Sequence, residues 1–97
     1  MSEDNTLNEE ELNEKLKEIP NWQKKDNAIV REIQANNFAA AVGIVNSIAI
    51  TAEKADHHPD ILIYGWNKLR ITLSTHDKGG LTGKDIDLAQ KIEELGF

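Results

Sequence analysis

The three histidines of this 97-residue chain lie close together in the sequence. His57 and His58 are adjacent and directly precede Pro59, and His76 follows in the segment STHD. An imidazole takes up and releases protons near neutral pH without a large change in its pKa, which makes histidine the usual general acid or base. Three imidazoles within one short window therefore indicate an acid/base site.

A helix is expected to carry the first two histidines. Apolar residues recur at helical spacing from residue 38 to about residue 57, and Pro59 disfavours the α conformation at His58. The helix should therefore end at the histidine pair, where its dipole favours an imidazolium. Glu53 lies one turn before His57 on the same face. Its carboxylate is predicted to fix the tautomer of His57 and to raise its basicity.

Two other uses of the histidines remain open. As structural groups, His57 and His58 would cap helix carbonyls and His76 would end a strand. This interpretation accounts for any one of the three histidines better than for all three together. As metal ligands, the three would hold zinc. Adjacent helical residues point about 100° apart, which suits one ion poorly. The chain also lacks HExxH, whose spacing puts two ligands on one helix face.

Nucleophilic catalysis has weaker support. Ser74 and Thr75 adjoin His76, but neighbouring strand side chains point to opposite faces, and no signature of an activated serine is present. The chain has no cysteine, which excludes a disulfide, a thiolate metal site and a redox role carried by protein sulfur. The residues alone thus predict an acid/base site formed by a helix end and a strand end. They leave the substrate open.

Hydrophobic periodicity predicts the elements around these residues. The order is helix, hairpin, helix, hairpin, helix, which gives an α+β domain with a four-stranded antiparallel sheet and helices packed on one face. Capping boxes of Thr6 with Glu9 and of Thr82 with Asp85 are expected to start the first and last helices. The predicted strands are residues 22–25, 28–35, 61–64 and 69–75, and the apolar positions of the terminal helices are Leu12, Leu16, Ile19, Ile86, Ala89, Ile92 and either Leu95 or Phe97.

The helix predicted over residues 38–57 carries more apolar residues than one buried face requires. They form two lines along the helix. One line is predicted to cover the sheet and the other to meet a partner subunit, because a chain of 97 residues has little material to surround the helix. The lines are Phe38, Val42, Val45 and Ala49, and Ala41, Ile44, Ile48, Ala52 and Ala55.

Composition limits the classes of partner. A formal net charge of −6 argues against a surface that neutralises phosphates, so direct binding of nucleic acid is not expected. The first residues are acidic and lack the pattern of a secretory signal, and no apolar run reaches the roughly 20 residues of a membrane span. We expect one domain over residues 1–97 of a soluble cytoplasmic protein without membrane contact.

Four segments together resemble the pterin-4a-carbinolamine dehydratases. These are E-x-x-x-H-H-P at residues 53–59, an aromatic at Tyr64 or Trp66, NKLRITLSTHDKGGL at 67–81 and KDIDLA at 84–89. The combination of HHP with ITLSTH at this distance is highly specific. The resemblance covers most of the chain from about Trp22. It implies an α+β fold, assembly into homodimers or homotetramers through sheet edges and the long helix, and no metal or prosthetic group.

The family dehydrates 4a-hydroxytetrahydropterin to quinonoid dihydropterin, after an aromatic amino-acid hydroxylase has produced the carbinolamine. The resemblance implies that His57 and His76 are the acid/base residues and that His58 mainly binds the pterin. It also implies a role for Glu53 in orienting His57. The remaining residues expected at the substrate pocket are Asp56, Ser74, Thr75, Asp77 and Asp85.

Two further functions compete with this one. Animal members of the family also bind and stabilise the dimer of a homeodomain transcription factor, so the chain could be an interaction module without an enzymatic role. The complete histidine set favours the enzyme, because a scaffold does not require it. Dehydration of a different pterin, including one connected with molybdopterin, is the other alternative, and the sequence does not discriminate it.

Overall fold

The structure, a computed structural model, describes residues 5–75 and 78–97. The elements follow the predicted order, with three helices and two β-hairpins. Their bounds are α1 Glu9–Leu16, β1 Gln23–Lys25, β2 Ala28–Gln34, α2 Phe38–Ala55, β3 Asp60–Tyr64, β4 Lys68–Leu73 and α3 Gly83–Glu94.

The four strands form one antiparallel sheet in the order β1-β2-β4-β3. In the central strand β4, Leu69, Ile71 and Leu73 are fully buried, while Arg70 on the other face is exposed. This alternation is what a strand with one covered face requires. The strand residues Ile29, Ile71 and Leu73 share one core cluster with residues of all three helices, which confirms the predicted α+β fold with helices on one face.

Helix α2 lies across this covered face and largely divides its two apolar lines as predicted, except that Val45 of the outer line packs against a buried cluster of Ala35, Ala41 and Leu69. Ala41, Ile48 and Ala52 are buried against the sheet and α3. On the other line Phe38 is 57 % exposed, and Ile50, also facing outwards, is 62 % exposed. A single chain therefore covers only one side of an apolar helix.

The first helix begins at a different cap from the predicted one. Asn8, not Thr6, is the N-cap, and its side chain forms a capping box with Glu11. The reason is the pairing of the preceding residues, since Thr6 bridges Thr82 and the amide of Leu7 donates to the Leu81 carbonyl at 2.8 Å. Backbone held in this extended pairing cannot start a helix, so the next residue with a suitable side chain caps it.

Helix α3 starts at the predicted capping box of Thr82 with Asp85 and ends at Glu94. Its buried apolar residues are Ile86, Leu88, Ala89 and Ile92. The prediction that Leu95 or Phe97 continues this buried face is wrong, because both side chains are exposed beyond the end of the helix. Gly96, with a φ of 84°, turns the chain out of the helical path.

The end of α3 is anchored to the sheet by a charged group. Arg31 projects from β2 into the covered face, is buried, and pairs with Glu93. The same carboxylate accepts a hydrogen bond from the indole Nε1 of Trp22 at 3.0 Å. A buried guanidinium requires a paired carboxylate, so this contact fixes the position of α3 over the sheet.

Replacement of Leu88 by alanine is expected to lower the free energy of unfolding by about 2–5 kcal/mol, because it removes buried methyl groups and leaves a cavity. Leu95→Ala is the matched control, since it makes the same change at an exposed position and should alter stability by about 0.5 kcal/mol or less. Urea denaturation followed by circular dichroism measures both. Equal losses in the two variants would contradict the described core.

Candidate active site

The chain leaves the helical path at the end of α2, and the two adjacent histidines that follow lie in different environments. Asp56 adopts a left-handed conformation with a φ of 51°, and the amide of His57 donates to the Ala52 carbonyl at 3.2 Å. This is a common way to end a helix, and aspartate tolerates it better than most residues. As a result the His57 side chain is only 12 % exposed, whereas that of His58 is 59 % exposed.

His57 is held by a buried carboxylate. Its Nε2 lies 2.6 Å from Oδ1 of Asp85, in the first turn of α3. The side chain of Asp85 is fully buried. A contact this short between an imidazole and a carboxylate is a charge-assisted hydrogen bond, and it fixes the orientation of the ring.

The other oxygen of Asp85 is also fully engaged. Oδ2 accepts hydrogen bonds from the Thr82 amide at 2.9 Å and from the Thr75 hydroxyl at 2.8 Å. The hydroxyls of Thr75 and Thr82 lie 2.9 Å apart, and both threonines are buried. Asp85 thus joins the end of α2, the segment after β4 and the start of α3. Sequence reasoning assigned no role at the site to Thr82, because its cap position already explained it.

Glu53 pairs with His58, and Asp85 instead bonds to His57, so the prediction that Glu53 orients His57 is wrong. Its Oε1 lies 2.7 Å from Nε2 of His58, and the Glu53 side chain is 77 % exposed. The left-handed Asp56 is the reason, because it interrupts the helical spacing that would have placed Glu53 beside His57. An exposed ion pair of this kind contributes little to stability.

The remaining predicted site residues that the structure describes lie in three places. Thr75 lies with Asp85, and Ser74 lies on the uncovered side of the sheet, as neighbouring strand positions should. There Ser74 lines an open trough of about 430 Å³ together with Asp60 and Thr72. Asp56 is an exposed helix cap. His76 and Asp77 lie outside the described residues.

The two aromatic residues of the motif lie at the other end of β3. The strand leads away from Pro59, and Trp66 stands exposed in the β3–β4 turn. Tyr64 donates its hydroxyl to Glu32 on the uncovered face, and Arg70 Nε donates to the same carboxylate at 2.5 Å. The hydrogen bond from Tyr64, with that from Arg70, lowers the pKa of Glu32, and the Tyr64–Glu32 bond raises the pKa of Tyr64. This cluster is separate from His57.

Within residues 5–75 and 78–97, no three histidine, aspartate or glutamate side chains are grouped to hold a metal ion. The zinc hypothesis also requires His76, which is not among these residues. What the described site provides is an imidazole oriented by a buried carboxylate, beside a second, exposed imidazole. Such an arrangement suits proton transfer to and from a bound molecule.

Solved structures share this architecture. A chain described as a transcriptional coactivator/pterin dehydratase from Brucella melitensis superposes with a TM-score of 0.88 at 38% sequence identity, covering 96% of this chain and 100% of that one. A pterin dehydratase-like protein identified as a RuBisCO assembly factor in the alpha-carboxysome gives a TM-score of 0.59 at 20% identity, covering 76% and 84%. The second likeness shows the fold alone.

Sequence comparison extends over the same region. A protein of Nocardia farcinica, named provisionally as a pterin-4-alpha-carbinolamine dehydratase, is 47% identical over 89 residues, which cover 92% of this chain and 93% of that protein. A protein of Roseiflexus castenholzii with the same provisional name is 46% identical over 89 residues, covering 92% and 95%. The model of the family described as pterin 4 alpha carbinolamine dehydratase matches residues 5–95. This chain therefore belongs to the pterin-4a-carbinolamine dehydratase family.

Proposed function

We propose that this protein is a dehydratase that converts a 4a-hydroxytetrahydropterin to quinonoid dihydropterin and water. The observation that carries the proposal is the contact between His57 and Asp85, with Thr75 as a second partner of the carboxylate. It orients one imidazole at the end of α2 next to the strand end that leads, one residue later, to His76. The acid/base site expected from the sequence needs these two segments together.

The reaction suits two imidazoles. The bond between C4a and the hydroxyl oxygen breaks, and the hydroxyl leaves as water after a general acid protonates it. A general base takes the proton of the ring nitrogen, and the electron pair of that N–H bond forms the new double bond to carbon. The elimination is redox-neutral, so it calls for no redox cofactor. Each proton transfer typically contributes about 10²- to 10⁴-fold to the rate.

His57 and His76 are assigned to the two proton transfers, and His58 to binding of the pterin. The exposure of His58 and its contact with Glu53 support a role at the rim, where a ligand meets solvent. We assign the lining of the substrate pocket to Asp56, Ser74 and Asp77. An aromatic amino-acid hydroxylase would supply the carbinolamine in pterin recycling, and a cytoplasmic location stays a prediction from the sequence.

The exposed line of α2 supports assembly into a homodimer or homotetramer. Phe38 and Val42 on this line, with Ile50 beside it, are exposed in the single chain, although large apolar side chains in a group are normally covered. By length and composition alone, α2 would also suffice to cross a membrane. Its other line packs on the sheet, however, so we infer that the exposed line meets a second copy rather than lipid.

An interaction module is the second candidate function. The exposed line of α2 favours it, and the solved Brucella melitensis relative is described as both a coactivator and a pterin dehydratase. A binding surface alone does not require a buried carboxylate aligned on an imidazole. The enzyme is therefore the better supported proposal.

His57→Ala and His76→Ala are each expected to lower kcat for dehydration of 4a-hydroxytetrahydropterin by about 10²- to 10⁴-fold, because each removes one proton-transfer group. His58→Ala should mainly raise KM, since that side chain is assigned to binding. Absorbance of the pterin follows the reaction, and circular dichroism confirms that each variant is folded.

Near-wild-type turnover in folded His57→Ala and His76→Ala would show that the acid/base assignment is wrong. A folded wild-type protein that does not accelerate the dehydration would instead favour the interaction module. The uncatalysed rate, measured in the same buffer, sets the baseline for both comparisons.

The double variant Phe38→Asp with Val42→Asp is expected to dissociate the oligomer, because it places two charges in an apolar contact. Light scattering at micromolar concentration should give a dimer or tetramer for the wild type and a smaller species for the variant. Leu95→Asp, at an exposed apolar position outside α2, is the control and should keep the wild-type mass. A monomeric wild-type protein would overturn the proposal that the exposed line of α2 meets a second copy.

A further inference from the structure

The hydrogen bonds behind His57 run in one direction. The amide of Lys84 donates to the Thr82 hydroxyl oxygen at 3.2 Å, and the Thr75 hydroxyl donates to Oδ2 of Asp85 at 2.8 Å. The two hydroxyls lie 2.9 Å apart. A hydroxyl has one hydrogen, and that of Thr75 is already used, so the Thr82 hydroxyl must donate to Thr75. This series of hydrogen bonds, from Thr82 through Thr75, therefore ends on the Asp85 carboxylate.

The direction of these hydrogen bonds determines which ring nitrogen of His57 carries the hydrogen. Oδ2 of Asp85 receives two donors, the Thr75 hydroxyl and the Thr82 amide, and Oδ1 faces the ring. An ionised carboxylate only accepts hydrogen bonds, so the ring atom beside Oδ1 must carry a hydrogen. That atom is Nε2. A neutral imidazole has a single N–H, so the lone pair of His57 is then on Nδ1.

We infer that the Thr82–Thr75–Asp85 chain holds His57 as the Nε2–H tautomer and makes Nδ1 the atom that exchanges the proton with substrate. The inference rests on the proposed function for the identity of the substrate. It makes Asp85 and Thr75, which the sequence placed among the pterin-binding residues, positioning residues that act through His57. Their burial agrees with this role, since neither side chain is open to a ligand. Thr82 joins them.

His58 provides an internal comparison. Its Nε2 also contacts a carboxylate, that of Glu53, but both side chains are largely exposed. Water can replace either partner there, and no further donor fixes the carboxylate in the described structure. A fixed tautomer is therefore expected at His57 and a mixture at His58. The two adjacent histidines can be distinguished in one spectrum.

The first measurement is a long-range ¹H–¹⁵N correlation spectrum of the full-length, ¹⁵N-labelled wild-type protein, at a pH where the histidines are neutral. The signals of His57 are identified by their loss in His57→Gln. We expect Nε2 to be protonated and Nδ1 to show the shift of an unprotonated imidazole nitrogen. This readout requires neither substrate nor turnover.

Asp85→Asn is the variant that should reverse the tautomer. The Thr82 amide and the Thr75 hydroxyl both need an acceptor, so the new amide oxygen must take the place of Oδ2 and its NH₂ group must face His57. Nε2 then accepts, and the proton moves to Nδ1. We expect kcat to fall by about 10²- to 10⁴-fold with little change in KM, as for an imidazole held in the wrong tautomer.

Asp87→Asn is the matched control, because it makes the same charge change in the same helix outside this hydrogen-bonded chain. It should keep the wild-type tautomer and rate.

An Nδ1–H tautomer in the wild-type protein would overturn the inference even if Asp85→Asn failed to fold. If Asp85→Asn reversed the tautomer but left kcat unchanged, Nδ1 of His57 would not be the atom that exchanges the proton with substrate, and the inference would be wrong. A wild type with the expected tautomer and no dehydratase activity would contradict the proposed function and leave the tautomer assignment standing.

Discussion

The buried carboxylate of Asp85 is the group on which the arrangement of the site depends. A carboxylate taken out of water is costly unless every oxygen is hydrogen-bonded, and here three different parts of the chain supply the donors. The end of α2 supplies an imidazole, the segment after β4 a hydroxyl and the start of α3 an amide. Satisfying one charge therefore brings three elements to one point. Asp85, which completes the capping box of α3 with Thr82, is also the residue that orients His57.

The position of Asp85 depends in turn on how α3 is held along its whole length. At one end the capping box fixes its first turn, and at the other end Glu93 pairs with the buried Arg31 of β2. Between them the apolar face of α3 packs into the common core. A helix held at both ends by charged groups and in the middle by packing can keep one carboxylate at hydrogen-bonding distance from a ring that follows the end of another helix.

Much of the fold follows from local patterns in the sequence. The alternation Leu69, Ile71, Leu73 predicted the buried strand, the two lines of α2 predicted its covered and uncovered sides, and the pair Thr82 and Asp85 predicted the start of α3. These features depend on neighbours within a few residues. Where a distant pairing competes, local reasoning fails, as at Thr6, whose bridge to Thr82 displaces the helix start.

The candidate site was predictable in its residue types but not in its contacts. The histidine pair and the capping aspartate were both recognised, yet nothing in the spacing connects His57 to Asp85, which lies 28 positions later in the chain. Helical spacing instead suggested Glu53. That prediction assumed that the helix continues through Asp56, and a left-handed residue after the last turn is decided by how the chain leaves α2 for β3, which is a tertiary constraint.

The exposed side of α2, proposed above as an assembly surface, lies apart from the candidate site. Eighteen helical residues span about 27 Å, so the exposed residues Phe38 and Val42 lie far from His57 at the other end of the helix. A second copy that covered the first part of this line would leave the histidine end accessible to a small molecule. The buried side of the same helix anchors that end, because Ala52 and Ile48 pack in the core five and nine residues before His57. A subunit contact that orders α2 would therefore hold His57 against Asp85 without touching either residue.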